Sequence, residues 1–479
     1  MILPASAWFG WADQAAYFLS ARGWATGDFD AAHHLYPAGY ALLAAPFFRL
    51  MPDDPFYVPN VACWIASLWL FASLAARLGF GVVRNRAAGG LIFCVVTVVS
   101  SRAFYTWEIP WTSTPATVLV FGATLAVLRH AERPAALTAA LAAALASLVA
   151  LVRPTDALIV MTGIGLVIML TALRPFRFRV LVAAGAGFCT GPVLLVATHV
   201  ATHGWVLGYY FENSRLIGFE WRLLPLRWVT LVLSPQPLFD SGDGLEAFFP
   251  TLLPGLAGVL ACWLGAGRRL PHALAGGMAV AVLCLYLCYR DLHVQGVNQF
   301  MNYHYFKWAL PLFGLYAANL LVLVARRRWA VLPALAVVVL LSLWRADLVS
   351  DSKAQPARVV ADGHSLTVPG GLPDMDQAVL VRAPADFLTI YFGAHEIRRD
   401  GRRLINNADF KLYPVPSGVM LTPLRRLPGP LTVNLAEPLR LDPAATPFMA
   451  RQRLKFGLPC IILPTRASCR YVSVLQPSP

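Results

Sequence analysis

The sequence predicts an all-α polytopic membrane protein with a small β-rich or α+β domain at its C-terminus. Three observations predict it. Of 479 residues, 58% are hydrophobic and only 13% charged, with a mean hydropathy of +0.59. Ordinary soluble domains are roughly a quarter charged, so a soluble cytosolic enzyme is excluded. Ten apolar runs are long enough, as helix, to cross about 30 Å of hydrocarbon. From about residue 346 the composition changes: residues 346–479 carry sixteen Lys/Arg, eleven Asp/Glu and many prolines. Short alternating stretches there, such as Ala378–Arg382 and Arg470–Val474, read as strands. The chain divides into a membrane part, 1–345, and a soluble part, 346–479.

In order, the apolar runs cover 57–79, 88–106, 114–129, 134–152, 156–173, 180–201, 248–265, 273–289, 309–325 and 329–345. Leu35–Leu50 is apolar but too short to span, and Pro37 and Pro46 interrupt it, so it is expected to lie along the interface. The loops after the first, third, fifth, seventh and ninth runs hold thirteen arginines: 77, 84, 86, 129, 133, 174, 177, 179, 268, 269, 326, 327 and 328. They hold one acid, Glu132. By the positive-inside rule these loops are cytoplasmic. Residues 1–56, the loop 203–247 and the domain 346–479 then build the outer face. The second of these is rich in Trp, Tyr and Arg (Trp205, Tyr209, Tyr210, Arg215, Trp221, Arg222, Arg227, Trp228), residues that favour the headgroup layer. No apolar span precedes Trp8 to carry the N-terminus outward, which leads us to expect an eleventh span encoded upstream.

The net charge of +14 and pI near 9.7 point to no nucleic-acid partner, because thirteen of the 39 basic residues fall in short membrane loops and sixteen in an outer domain that also holds eleven acids. Six cysteines (Cys63, Cys94, Cys189, Cys262, Cys284, Cys288) sit inside apolar runs and read as small core residues. Cys460 and Cys469 lie in the outer domain, where an oxidising compartment allows a disulfide.

Candidate chemistry gathers on the outer face. Asp13 and Tyr17 are four residues apart and share a face if helical. Asp13 is a candidate base or a solvated cap. His33-His34-Leu35-Tyr36-Pro37 leads polar aromatics into the interfacial segment, and Glu108 stands at the outer end of the second run, so two acids can converge above the membrane. His33 and His34 point in different directions, and His199 and His203, though spaced i,i+4, lack the glutamate of a zinc hydrolase. No metal and no cofactor are expected. In Arg153-Pro154-Thr155-Asp156 the guanidinium either holds a phosphate or pairs with Asp156. Lys307, in Asn302-Tyr303-His304-Tyr305-Phe306-Lys307-Trp308, either snorkels or binds an anionic headgroup.

These residues, in this order, resemble the GT-C membrane glycosyltransferases, and among them the bacterial aminoarabinose-transferase and protein-mannosyltransferase group. The resemblance rests on the first-loop acid followed by Tyr, the Tyr-Pro-x-Gly-Tyr run feeding Pro-Phe-Phe (Tyr36–Phe48), Arg153-Pro154, and the aromatic-basic Leu-Pro entry at Tyr305–Pro311. It covers about residues 10–320. Two positions depart from the family pattern: Thr114-Pro115 stands where relatives carry an acid before proline, with Glu108 as a possible substitute, and His304 and Lys307 flank Tyr305 where relatives place arginine.

The resemblance implies an inverting glycosyltransferase in a bacterial inner membrane, working on the extracytoplasmic side. It would move a sugar from a polyprenyl-phosphate donor to an envelope glycan, lipid or protein. Asp13 maps onto the family's essential carboxylate as general base, with Trp8, Trp11 and Tyr17 expected to bury it and raise its basicity. Glu108 is the alternative acid. Arg153 and Lys307 are the implied phosphate holders, with Tyr17, His33, His34, Tyr36 and Tyr305 near the sugar or phosphate. Two rival readings stay open: a non-enzymatic carrier or flippase for lipid-linked sugars, and an inactive relative serving as an assembly subunit. Transporters tend to show internal repeats and charged mid-membrane helices, and this chain shows neither, which favours the enzyme.

Overall fold

The computed structural model describes residues 12–98, 101–173, 176–219, 221, 224–233, 244–265, 269–289, 292, 299–326, 332–333, 336 and, from 346 to 456, the strands given below together with 429–430. They form two compact units, one of Met1–Asn213, Glu246–Tyr286 and Tyr303–Leu340, the other of Ser214–Leu245, Leu287–Asn302 and Leu341–Pro479.

The helices, in chain order, are α1 (Ala12–Thr26), α2 (Gly39–Ala44), α3 (Tyr57–Leu78), α4 (Arg86–Val98), α5 (Ser101–Glu108), α6 (Ser113–Glu132), α7 (Ala136–Leu148), α8 (Pro154–Ala172), α9 (Phe178–His203), α10 (Tyr209–Ile217), α11 (Leu224–Arg227), α12 (Leu245–Phe248), α13 (Leu252–Gly265), α14 (Arg269–Leu287) and α15 (Ala309–Ala325). Five of them, α3, α6, α8, α9 and α14, are long and apolar enough to cross a membrane. The apolar helices α4, α13 and α15 have 13, 14 and 17 residues. At 1.5 Å per residue they reach only about 20–26 Å, short of a full hydrocarbon crossing. Of the ten predicted runs, nine fall on these helices, with 88–106 covered by α4 and α5 together; the run 329–345 lies outside the described residues but for 332–333 and 336. The Leu35–Leu50 segment is not one helix: α2 gives way to a 3-10 turn, Ala45–Phe47, because Pro46 cannot continue the ladder.

Within the first unit α7 runs along α9 and α13 along α15, while α6 touches α3, α7 and α8. The α7–α9 contact is backbone on backbone. Gly187 and Gly191 of α9 face Ala140 and Ser147 of α7, and a Cβ at Gly191 would lie 1.9 Å from Ser147 O. Ser147 Oγ donates to Gly187 O at 2.9 Å and accepts from the Gly191 amide at 3.0 Å. This is the small-xxx-small solution to packing helices in lipid, where no hydrophobic force drives them together. At the arginine-bearing helix ends, Asn319 of α15 accepts from Phe80 N (2.9 Å) and donates to Leu78 O (3.0 Å), tying the end of α3 to α15.

The second unit holds twelve described strands: β1 (Ala346–Pro356), β2 (Val360–Ala361), β3 (Ser365–Val368), β4 (Gly371–Leu372), β5 (Gln377–Arg382), β6 (Ala394–Arg399), β7 (Arg402–Leu404), β8 (Phe410–Val415), β9 (Gly418–Pro423), β10 (Leu427–Pro428), β11 (Leu431–Leu435) and β12 (Phe448–Phe456). They pair as two five-stranded sheets, β1-β12-β5-β9-β8 and β2-β3-β11-β6-β7, and a β10-β4 ribbon. Ala378–Arg382 lies in β5; Arg470–Val474, Cys460 and Cys469 lie outside the described residues.

Candidate functional site

The site is built at the end of the first unit where α1, α6, α8 and α15 begin. Asp13 is in the first turn of α1, and Tyr17 follows one turn later. Tyr36, in the extended loop before α2, donates to Asp13 Oδ1 at 2.6 Å. Its ring packs on Tyr17 (centroids 4.9 Å) and on Tyr210 (5.7 Å). Gln14 Nε2 donates to Pro110 O at 3.1 Å and fixes α1 against the entry to α6. Burial pushes the Tyr17 phenol well above its ordinary value, with Asp13 adding to the shift and a hydrogen bond with Thr112 and the charge of Arg153 pulling back. The Tyr36 phenol rises for the same two leading reasons, burial and then Asp13, with Tyr305 also contributing. Both phenols therefore stay protonated as neutral donors.

Arg153 follows from its neighbour in the chain. A residue before proline is kept out of the helical region, so Arg153 sits extended (φ −146°, ψ 84°) immediately before Pro154 opens α8. The guanidinium is buried, 6% exposed, and Asp156 one turn on is fully buried. Arg153 Nε lies 3.3 Å from Asp156 Oδ2, and Nη2 donates to the Tyr286 hydroxyl at 2.6 Å. Tyr286 in turn donates to Asp156 Oδ1, and Trp308 Nε1 donates to Oδ2 at 2.9 Å. The rings of Tyr286 and Tyr305 lie 5.2 and 5.1 Å from the guanidinium carbon. Burial works against the cation, but Asp156 and then Tyr286 outweigh it and hold Arg153 above its ordinary value. Arg153 keeps its charge, and Nη1 has no hydrogen-bond partner among the described residues.

Lys307 occupies the turn before α15. Its ammonium donates to Thr106 O (2.6 Å) and Thr114 Oγ1 (2.7 Å) and lies 4.7 Å from the Trp107 ring. No carboxylate contacts it among the described residues. Burial and then the charge of Arg153 push its pKa well below the ordinary lysine value. An incoming anion would be favoured by Arg153 and would draw Lys307 toward its charged form, since it offsets the Arg153 charge that now disfavours that form.

The structure thus brings Asp13, Tyr17, Tyr36, Arg153, Tyr305 and Lys307 into one neighbourhood. His33 is elsewhere, half-exposed and paired with Asp28 at 2.8 Å. That contact, after the Asp30 backbone amide, holds the exposed Asp28 carboxyl below its usual range. His34 is buried but fully used: Nδ1 meets Ser20 Oγ at 3.0 Å and Nε2 meets Asp28 O at 2.8 Å, so it braces the loop that carries Tyr36. Glu108 gives its backbone carbonyl to Asn60 Nδ2 at 3.0 Å. Burial raises its carboxyl, which makes no contact with Asp13, Tyr36 or Arg153 among the described residues. Trp8, Trp11 and Arg222 lie outside the described residues, and Arg227 is buried in the second unit. Reasoning from sequence missed Tyr286 and Trp308 as partners of Asp156; they stand 130 and 152 residues away, and no local spacing links them.

No family model matches the chain, and no curated protein matches it. Among solved structures it is similar to the crystal structures of ArnT from Cupriavidus metallidurans in the apo state and bound to undecaprenyl phosphate. Both are 15% identical over 69% of this chain and 59% of that one, with TM-scores of 0.44 and 0.43. The chain spans about three-fifths of the length of these relatives.

Proposed function

We propose that this chain is a membrane glycosyltransferase that moves a sugar, with inversion, from a polyprenyl-phosphate donor to an envelope glycan, lipid or protein. The observation that carries the reading is the meeting of the Asp13–Tyr36 pair with two buried basic side chains, Arg153 and Lys307, amid the Tyr17 and Tyr305 rings. The acceptor hydroxyl oxygen forms a bond to the anomeric carbon, its proton passes to Asp13, and the anomeric carbon–oxygen bond to phosphate breaks with its electron pair on the lipid phosphate. Arg153 Nη1 and Lys307 supply the positive field in which that charge develops. Asp156, Tyr286 and Trp308 keep the Arg153 fork from collapsing onto solvent. The arginine-rich helix ends lie opposite the site along α3, α6, α8 and α15, which supports an extracytoplasmic site through the positive-inside rule.

The test is chemical. Lipid extracts of a strain lacking the gene should accumulate a polyprenyl-phosphate sugar visible by mass spectrometry. The purified protein should release free polyprenyl phosphate from that lipid in equal measure with sugar transferred. An unchanged lipid profile together with no release by the purified protein would sink the reading.

A further inference from the structure

His199 and His203, spaced i,i+4 on the last turn of α9, take no part in the proposed transfer, yet they fasten the turn between α9 and α10. Gly204 ends α9 with φ 62° and sends the chain back over that last turn. His199 Nε2 bonds Val206 O at 2.9 Å; a carbonyl only accepts, so this nitrogen carries the hydrogen. Thr202 Oγ1 donates to Thr198 O or His199 O (3.1 and 3.2 Å), which leaves its lone pairs for the Nδ1–H of His203 at 2.7 Å. A neutral ring with one N–H satisfies each bond. The two rings stack with centroids 4.7 Å apart and planes 3° from parallel. Their remaining nitrogens have no partner among the described residues. That of His203 faces the buried Gly208, where a Cβ would sit 2.9 Å from Nε2.

From this pair an unbroken line of ring contacts runs to the proposed base. Phe211 stands edge-on to His199 (5.5 Å, 82°) and to Tyr210 (5.4 Å, 86°). Tyr210 packs on Tyr36 at 5.7 Å, and Tyr36 donates to Asp13. We propose that the stacked, uncharged His199–His203 pair is a positioning device: it latches the α9–α10 turn so that Tyr210 holds Tyr36 on Asp13, and acid releases the latch. Two positive rings 4.7 Å apart repel, and Coulomb's law at an effective dielectric between about 80 and 20 makes the second proton bind roughly 4- to 400-fold more weakly in the stack than on separated rings. By linkage the same factor favours the open turn once both rings are charged. No neighbouring acid offsets the repulsion. His34, on the loop before α2, is the other titratable group that acts on His203, and its charge would add to the repulsion. Glu212 and Arg215 of α10 are exposed and touch neither ring, and the Asp28 carboxylate pairs with His33. From α7 and α8 no charged group reaches the pair among the described residues.

The inference rests on the glycosyltransferase reading only for what Tyr36 serves, so its first test needs no turnover. Hydrogen–deuterium exchange of the detergent-solubilised full chain, corrected for the intrinsic pH dependence of exchange, reads the opening of residues 204–211. The amides of Val206 and Phe211, bonded to His203 O and Gly208 O at 3.4 and 3.1 Å, report on the turn. In wild type their protection should fall about fourfold or more between about pH 7.5 and pH 5, the window in which an imidazole changes charge, while the centre of α9 stays protected. His199→Gln/His203→Asn puts amide N–H groups where Nε2 and Nδ1 donate but takes up no proton, so it should stay protected at both pH values. His199→Phe keeps a ring but loses the bond to Val206 O, and should be open at both. Melting curves matching wild type certify that the variants fold; if the double variant does not, His199→Gln alone leaves one titrating ring and should also lose the acid step. No acid step in wild type, or one that persists in the folded variants, overturns the latch. In a transfer assay the ratio of kcat in the double variant to kcat in wild type cancels the titration of Asp13, which both share. That ratio should be near one at about pH 7.5 and rise to roughly twofold or more at about pH 5. A flat ratio refutes the link from the latch to Tyr36. No transfer by either protein counts against the glycosyltransferase reading, and the exchange result still decides the latch.

Discussion

Arg153 has two jobs in the proposed site, and a pair of substitutions separates them. It neutralises Asp156, which is fully buried, and it offers Nη1 to the donor phosphate. Arg153→Gln removes both. Leaving one partner of a buried ion pair uncompensated costs about 3–5 kcal/mol. The residual hydrogen bonds to Asp156 from Tyr286 and Trp308 place the expected loss near the lower end, about 3 kcal/mol. The double variant Arg153→Gln/Asp156→Asn carries no buried charge at this point and should regain most of that stability. It should not regain donor use, since the charge-assisted contact to phosphate, worth about 1.5–3 kcal/mol, is still gone, which is roughly a 10- to 150-fold loss in kcat/KM for donor. Stability is read by reversible unfolding in mixed micelles, and donor use by release of polyprenyl phosphate. Recovery of donor use along with stability in the double variant would show that Arg153 is a structural partner of Asp156 and nothing more.

Asp13→Asn keeps size and the Tyr36 contact but cannot take a proton, so turnover should fall by roughly two to four orders of magnitude while donor binding survives; transfer within about tenfold of wild type would move the base elsewhere. Lys307 is held below its ordinary pKa by burial and by Arg153, so the unfolded chain binds the extra proton between the depressed value and the ordinary value near 10.5. Stability of the ligand-free protein should therefore rise with pH between that depressed value and about 10.5, by up to about 1.4 kcal/mol per unit, and Lys307→Met should flatten the slope; identical slopes in the two proteins contradict it. Gly191→Ala puts a Cβ 1.9 Å from Ser147 O, so α7 and α9 must part, with an expected loss of about 1–3 kcal/mol in the same unfolding assay; a neutral result would mean the two helices are not in backbone contact. A cysteine placed near Arg326 should be protected from an impermeant thiol reagent in intact cells, and one near His33 should react; the opposite pattern reverses the orientation.

The sequence by itself determined what short-range rules can carry. Nine of the ten apolar runs fall on helical segments, because crossing hydrocarbon needs unbroken hydrophobicity whatever the partners. Spacing of four put Asp13 and Tyr17 on one helical turn, and Arg153-Pro154-Thr155-Asp156 offered Asp156 as one of two partners for the arginine, a pairing the structure contains. The same rules failed where local pattern is silent. Glu108 looked like a partner for Asp13 because both acids flank the outer surface, yet it makes no contact with Asp13 among the described residues, whereas Tyr36, 23 residues away, does. His34 read as a substrate ligand, but both its nitrogens are spent on Ser20 and Asp28, a fact decided by how the loop folds back on α1. Helix lengths fell short of the run lengths in α4 and α13, since turns consume apolar residues as readily as helices do. Only the tertiary structure joined Asp156 to Tyr286 and Trp308, and Lys307 to Thr106 and Thr114 about two hundred residues earlier. A charge buried in an apolar bundle must be satisfied by whichever polar atoms packing brings within reach, and that proximity is a property of the folded chain, which no spacing in the sequence encodes.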